Sequence, residues 1–278
     1  MSLLTLIKIE LLFVVILLLP LLIQLVILFV ISRALWVFTQ RFFGRPLWLL
    51  LGLVGVPMHE LSHAVAFWLT GAGVQRMVLF APRGLPEHGG ATGVVVPARK
   101  PSIVSQGIAS IAPFFGCSLA AWLVLRLLLS DLTSGVQPAS TLSLESLGGV
   151  ELLQFLGGVL EGYWRGLVEA FTQLRWSSWQ TYLALYLTAS LGMGAAPSKE
   201  DLKLFLPTLL AGLVVLLPVF ALIQAFGDAQ SMLVTAQDIL GGLLMSVGRV
   251  LGYATLFSLL ALFILALLAP LTYLARRR

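Results

Sequence analysis

The sequence has few charged residues and almost no cysteine. Only 10% of its 278 residues are Asp, Glu, Lys or Arg, whereas a soluble domain carries about 25%. So few charges cannot cover a water-facing surface of this size, which excludes an ordinary soluble globular protein. Cys117 is the single cysteine and lies in an apolar run, so a disulfide framework and a thiolate metal cluster are also excluded.

Long apolar runs occupy most of the chain instead. Hydrophobic residues make up 59% of it, and the mean hydropathy is +1.01. A transmembrane helix needs about 20 mostly apolar residues. The sequence therefore predicts an all-α polytopic membrane protein with about six transmembrane helices, at roughly 11–31, 47–70, 103–129, 179–196, 203–226 and 245–273.

Two of the connecting segments have their own patterns. Residues 71–102 contain two short strand-like runs around a turn rich in Gly and Pro, which predicts a small β-hairpin after the second span. The loop 130–178 ends in a mixture of Leu, Phe, Trp and charged residues, which predicts an interfacial helix. Residues 32–46 are expected to be a short link. We expect one membrane domain over 1–278, with a core at 47–205 and C-terminal helices at 203–278.

The basic excess favours a lipid surface rather than a nucleic acid. The 17 Lys and Arg residues outnumber the 12 Asp and Glu residues, and they lie mainly between or after apolar runs, where loops contact anionic lipid. We therefore expect the bilayer as a partner and no nucleic acid. With both termini cytoplasmic, ten of the basic residues fall on the inner side and seven on the outer side. This favours that orientation, and the compact chain favours a prokaryotic plasma membrane.

The second span contains the motif His59-Glu60-Leu61-Ser62-His63. Positions i and i+4 share one face of a helix, so His59 and His63 can both direct imidazole nitrogens at one Zn²⁺. Glu60 is placed to take a proton from an attacking water and pass it to a leaving amine. The alternative is a purely structural helix contact. Because an ionisable group at the bilayer centre costs at least about 2.5–3.5 kcal/mol, simple packing is a poor reason to keep Glu60 there.

Three features together resemble the site-2 protease family of intramembrane metalloproteases. The first is the motif within a membrane span, followed by Ala64 and Gly71. The second is the basic hairpin region directly after that span. The third is the sequence Ile-Ala-Pro-Phe-Phe-Gly at 111–116 in the next span. The resemblance covers residues 47–205, and it implies a zinc cofactor and a substrate that is a membrane protein or peptide.

The resemblance also implies a third zinc ligand, a carboxylate from a later span. The usual Leu-Asp-Gly motif of the family is absent from this sequence. Asp201 is the candidate, because the segment 197–201 is similar to a Pro-Ser-x-x-Asp segment of compact relatives. Ser198 and Asp201 also form an ordinary helix-start signal. Further candidates are Glu200, next to it in sequence, Asp228 and Asp238, which the expected topology places on the opposite side, and His88, which is better explained as a polar residue at the hairpin tip.

Two other functions are compatible with the sequence. Prenyl-protein endopeptidases and their bacterial relatives also use His-Glu-x-x-His, with a downstream Glu as third ligand, and Glu161 or Glu169 could take that part. A non-catalytic transporter or binding protein with a degenerate metal site is the second alternative. A transporter should show inverted repeats and paired interrupted helices, and the sequence has neither pattern clearly. The oligomeric state and the individual substrate are not encoded in any motif found here.

Overall fold

The computed structural model describes most of the chain between residues 25 and 270. It covers 25–130 apart from Gly89, 174–205 apart from Lys199, and 247–270 apart from Arg249, together with residue 23 and scattered positions in 157–173 and 207–218. The described part is mainly helical and contains one two-stranded sheet. Most of the expected span at 203–226, and most of the first one at 11–31, lies outside the described residues.

Six helices have defined bounds within this part of the chain. Three of them, α1, α4 and α6, are long and apolar enough to cross a membrane, and the bent pair α2–α3 would count as a fourth span. The described residues therefore contain three candidate spans, or four with the bent pair, and the expected number of six is not confirmed. The helices are α1 (Leu25–Phe42), α2 (Arg45–Gly52), α3 (Gly55–Leu69), α4 (Ile103–Leu128), α5 (Trp179–Ala195) and α6 (Val250–Pro270).

Helix α1 extends through most of the segment that the sequence predicted as a link. Arg33 and Arg41 interrupt the apolar run, but they do not interrupt the helix. The guanidinium of Arg33 lies 4.3 Å from the ring centroid of Trp36, and that of Arg41 lies 5.7 Å from that of Phe42. Cation–π contacts of this kind allow a cation to remain on a helix in apolar surroundings, which explains why hydropathy alone ended the helix too early.

The predicted span 47–70 is broken into α2 and α3, which meet at an angle of 49°. The break falls between Gly52 and Gly55, and Gly55 is pressed against α5. Its backbone N–H donates to the Ser190 hydroxyl at 2.9 Å, and a Cβ atom at Gly55 would overlap the Ser190 carbonyl. Small residues let two helix backbones approach closely in a membrane. The first residue of α3 is therefore a glycine, because the backbone of α5 lies directly against it.

Helices α3, α4 and α5 pack against one another and form the centre of the described structure. Ser102 caps α4 by accepting a hydrogen bond from the Ser105 backbone N–H at 3.1 Å. The Thr70 and Ser105 hydroxyls, 2.6 Å apart, join the end of α3 to the start of α4. The two helices are thereby held in a fixed register beside the hairpin that connects them.

The hairpin is confirmed and consists of β1 (Val74–Val78) and β2 (Val94–Pro97), paired antiparallel. A short 3-10 helix, Pro86–His88, lies in the connection between the strands. Arg76 and Glu87 form an exposed ion pair at 3.1 Å. The pKa of Glu87 lies below its ordinary value because its own backbone N–H hydrogen-bonds the carboxylate, and Arg76 adds to the effect. These contacts tie the tip of the hairpin back to β1.

The described positions between 157 and 173 are helical. Glu161 and Arg165 pair at 2.6 Å along this helix, while Trp164 and Val168 are exposed. A helix here agrees with the helix predicted for the end of the loop 130–178. Its place at the membrane surface stays a prediction. The domain boundaries also stay predictions. Residues 131–156 lie outside the described part.

Candidate metal centre

The two histidines of the motif converge on one point. His59 and His63 lie one turn apart on α3, and their Nε2 atoms are 3.0 Å apart. Each side chain is 14% exposed, so the rings are largely enclosed by α3, α4 and α5. The i, i+4 spacing on one helix face is sufficient to produce this pairing.

Backbone carbonyls determine which nitrogen of each ring carries hydrogen. His59 Nδ1 lies 2.7 Å from the Gly194 carbonyl oxygen on α5, and His63 Nδ1 lies 2.8 Å from the Ala109 carbonyl oxygen on α4. A carbonyl oxygen only accepts hydrogen bonds, so each Nδ1 must be the donor. In the neutral rings both Nε2 atoms are therefore bare, and two lone pairs face each other.

Asp201 supplies a third acceptor at the same point. Its Oδ2 atom lies 3.6 Å from His59 Nε2, and its Oδ1 atom lies 3.4 Å from His63 Nε2. Asp201 is only 6% exposed. One candidate ligand atom from each of the three residues lies within 4.8 Å of the others, and the three could hold a metal ion. The structure thus brings together all three residues that the sequence proposed as metal ligands.

The chemistry of this set fits a divalent cation. Two bare imidazole nitrogens and a buried carboxylate would repel one another, and a cation among them removes that repulsion. Two His and one carboxylate form a ligand set of catalytic zinc sites, in which the fourth position stays open. Hydrogen bonds from the distal nitrogens to carbonyls are the usual outer support of such ligands, and Gly194 and Ala109 provide them here.

Asp201 also has the helix-start geometry that offered the competing explanation. The Ser198 N–H donates to Asp201 Oδ2 at 2.8 Å, and the Asp201 N–H donates to the Ser198 hydroxyl at 3.1 Å. This reciprocal pair is a capping box. The two explanations are compatible, because the capping hydrogen bond orients the carboxylate towards the histidines.

The helix that follows Ser198 is seated on α4 through a glycine. Gly107 lies against Thr208, and a Cβ atom at Gly107 would overlap the Thr208 side chain. Thr208 follows Asp201 by seven residues, so both lie on the same helix face. The small residue at position 107 therefore determines how closely Asp201 approaches His63.

Glu60 follows His59 on α3, beside the three candidate metal ligands His59, His63 and Asp201. It also lies against the hairpin. A Cβ atom added to Gly93, just before β2, would be 2.5 Å from Glu60 Cγ and 2.8 Å from its Oε1 atom. Gly93 has no positive φ, so the restriction here is one of space, and a larger residue would displace the Glu60 side chain. The hairpin thus restricts the position of the Glu60 carboxylate through direct contact.

For the peptide cleavage that the sequence predicts, Gly93→Ala is expected to lower kcat by roughly 10- to 100-fold, because a displacement of about 1 Å in a catalytic group can cost that much. Zinc content and KM should change little, since the metal-binding residues and the exposed hairpin surface are untouched. The neighbouring Val94→Ala is the control, as it adds no atom next to Glu60. Equal kcat in Gly93→Ala and wild type would contradict a restraint on Glu60.

The other candidates from the sequence lie elsewhere or outside the described residues. Glu200 and Glu161 are exposed, and their carboxylates pair with Lys203 and Arg165. His88 is exposed at the hairpin tip, as expected of a polar tip residue. Glu169, Asp228 and Asp238 lie outside the described part of the chain.

The residues that support this site were not identified from sequence patterns. The Gly194 and Ala109 carbonyls, Gly93 and Gly107 act through the backbone or through the absence of a side chain. The spacing Ser190-Leu-Gly-Met-Gly194 is a signal of close helix packing, and it could have pointed to α5 as the partner of α3. No pattern of side chains would have identified the individual carbonyl oxygens.

Comparison with known proteins identifies a family for most of this region. The sequence matches the family described as Peptidase M50B-like over residues 21–191, which is more than half of the chain. The match includes α3, the hairpin and α4, and it ends before Asp201. Searches of curated proteins and of solved structures found no match.

Proposed function

Because the chain belongs to the Peptidase M50B-like family, which is the site-2 protease family, we propose that it is a zinc-dependent intramembrane endopeptidase. Membership makes it a membrane metalloprotease by family, in agreement with its apolar helices. The observation that carries the finer proposal is the convergence of His59, His63 and Asp201 within a largely enclosed site. A transporter with a degenerate metal site is disfavoured by the family match.

The proposed ligands of zinc are His59 Nε2, His63 Nε2 and the Asp201 carboxylate. When bound, zinc polarises a carbonyl and lowers the pKa of a coordinated water to about 7. The chain itself contributes the orientation of these ligands, through the Gly194 and Ala109 carbonyls. Outer hydrogen bonds of this kind hold each ring in the correct tautomer.

Glu60 is the proposed general base and general acid. Its carboxylate takes a proton from the attacking water and transfers it to the leaving amine when the peptide bond breaks. Gly93 limits the movement of the Glu60 side chain, so the carboxylate is held in place before substrate arrives. Enclosure between α3, α4 and α5 keeps bulk water from the site and strengthens its electrostatic interactions.

The proposed substrate is a membrane-anchored protein or peptide. The site lies on α3, part of the bent pair that qualifies as a membrane span, and a soluble substrate would have no route to it through lipid. Among the described elements, the hairpin lies next to Glu60. A partly unwound substrate could therefore reach the metal along the hairpin.

Metal removal tests the proposal. We expect about one zinc per chain in detergent-purified protein, as for other single structural or catalytic zinc sites, and loss of that zinc in His59→Ala. Chelation should abolish cleavage of a reconstituted single-span substrate, and added zinc should restore it. Glu161→Ala, which removes an exposed carboxylate, is the matched control and should keep its zinc.

Three results would contradict the proposal. The first is a metal-replete preparation of wild type that contains no zinc. The second is zinc loss in Glu161→Ala with retention in Asp201→Ala, which would favour the prenyl-endopeptidase type of site, because that type shares the two histidines and differs in its third ligand. Zinc binding without chelator-sensitive cleavage of any membrane-anchored substrate would support a non-catalytic metal-binding protein.

A further inference from the structure

We propose that a cleft beside Arg33, remote in sequence from the metal-binding motif, binds the phosphate of an anionic phospholipid. The cleft has a volume of about 180 Å³ and lies between α1, α2 and the segment that follows α5. Ser32, Arg33 and Trp36 line it from α1, Trp48 lines it from α2, and Pro197 closes it after α5. None of these residues belongs to the proposed metal centre.

The polar groups of the cleft are suited to an oxyanion. Guanidinium and indole N–H groups only donate hydrogen bonds, and no carboxylate lines the cleft. Arg33 stacks on Trp36 with its guanidinium 4.3 Å from the ring centroid. Stacking uses the face of the guanidinium and leaves the N–H groups at its edge directed outwards, where they match two oxygens of a phosphate.

Neither the neighbouring sequence nor the described residues supply a matching negative charge for Arg33. Between Leu11 and His59 the sequence contains Arg33, Arg41 and Arg45 but no Asp or Glu. Among the described residues, no carboxylate forms an ion pair with Arg33. A cation on an apolar membrane helix without a counter-ion is costly, so an anion from the surroundings would be stabilising.

The position of Arg33 on α1 favours a lipid over a peptide as the source of that anion. Val26, Val30, Arg33 and Val37 follow one another at steps of four, three and four residues, which places them on one helix face. All four are exposed. An occupant that brings a phosphate to Arg33 and runs an acyl chain along Val26 and Val30 would cover the part of this face that precedes Arg33.

Bound lipid would also touch the segment that leads to Asp201. Pro197 borders the cleft, and Ser198 directly after it forms the capping box with Asp201. A ligand that binds the folded state raises its stability. We therefore expect anionic phospholipid to raise the unfolding temperature of the full chain.

The test is binding of short-chain phosphatidylglycerol to the detergent-purified full chain, measured by native mass spectrometry and by thermal unfolding. Short-chain phosphatidylcholine and inorganic phosphate are the comparison ligands. Phosphatidylglycerol should bind wild type saturably and raise its unfolding temperature. Arg33→Gln should weaken this binding by roughly tenfold or more, since a charge-assisted hydrogen-bonded pair is lost.

Arg41→Gln is the matched control, because Arg41 lies on the same helix and stacks on Phe42 but does not line the cleft. It should bind phosphatidylglycerol within about twofold of wild type, the change expected for an exposed charge. Equal binding by Arg33→Gln and wild type would overturn the proposal. So would equally strong binding of inorganic phosphate, which would indicate a free-anion site. A raised KM for substrate in Arg33→Gln, with no lipid binding by wild type, would assign the cleft to the substrate instead.

Discussion

Replacing Glu60 with Gln is expected to lower kcat by about 10²- to 10⁴-fold, the usual contribution of a positioned general acid–base group. Gln has nearly the same shape as Glu, so it fits beneath Gly93, where space is limited. It lacks a carboxylate and so cannot carry a proton from the attacking water to the leaving amine. Single-turnover cleavage of a reconstituted substrate measures the effect.

The informative comparison is between activity and metal content. Zinc per chain should be the same in Glu60→Gln and wild type, since the candidate metal ligands are His59, His63 and Asp201. Glu161→Gln, a change to an exposed carboxylate, should retain full activity. Cleavage by Glu60→Gln at the wild-type rate would exclude Glu60 as the base, and parallel loss of zinc would make it part of the metal centre instead.

Replacing Asp201 with Ala should weaken zinc binding by more than the 10- to 100-fold expected for loss of an outer hydrogen-bond partner. The carboxylate is buried beside both histidines, and its removal leaves two neutral nitrogens as the only protein ligands. Zinc affinity by competition with a chelator measures the change. Glu200→Ala is the matched control, because Glu200 is the adjacent acid but is exposed and pairs with Lys203.

Asp201→Asn separates the two roles of this residue. The side-chain oxygen of Asn can still accept the hydrogen bond from the Ser198 N–H, so the helix that follows Ser198 should persist, but the negative charge is lost. Weak zinc binding in this variant, with an unchanged circular dichroism spectrum, would establish Asp201 as a ligand. Ser198→Ala should show the reverse pattern, a small loss of stability with zinc retained. Wild-type zinc affinity in Asp201→Ala would remove it from the proposed site.

Local sequence patterns were sufficient to predict the histidine pair and to distinguish helices from the hairpin. His59 and His63 lie one helical turn apart, so their convergence needs only that α3 is a helix. The hairpin was predictable because two β-prone runs flank a turn rich in Gly and Pro. Hydropathy failed at α1, where aromatic rings accommodate Arg33 and Arg41 within the helix. It also missed the bend between α2 and α3, which depends on the approach of Gly55 to α5.

Asp201 illustrates a different kind of limit. The segment Pro197-Ser198-Lys199-Glu200-Asp201 contains two adjacent acids, and the capping pattern explains Asp201 without any metal. The structure distinguishes the two acids, because the capping box turns Asp201 inwards and leaves Glu200 exposed. The approach of Asp201 to the histidines also depends on the close contact between Thr208 and Gly107. No sequence pattern marks these two residues as neighbours.

The sequence by itself determined that this is a membrane protein with a His-Glu-x-x-His helix and a hairpin after it, because composition and short-range periodicity control those features. The tertiary structure decided which acid faces the histidines, which ring nitrogens are bare and what holds Glu60. His59 takes its carbonyl partner from a residue 135 positions away, and Glu60 is restrained by a glycine on another element. Such contacts depend on how closely backbones approach, and that distance is set by the packing of whole helices rather than by any local run of residues.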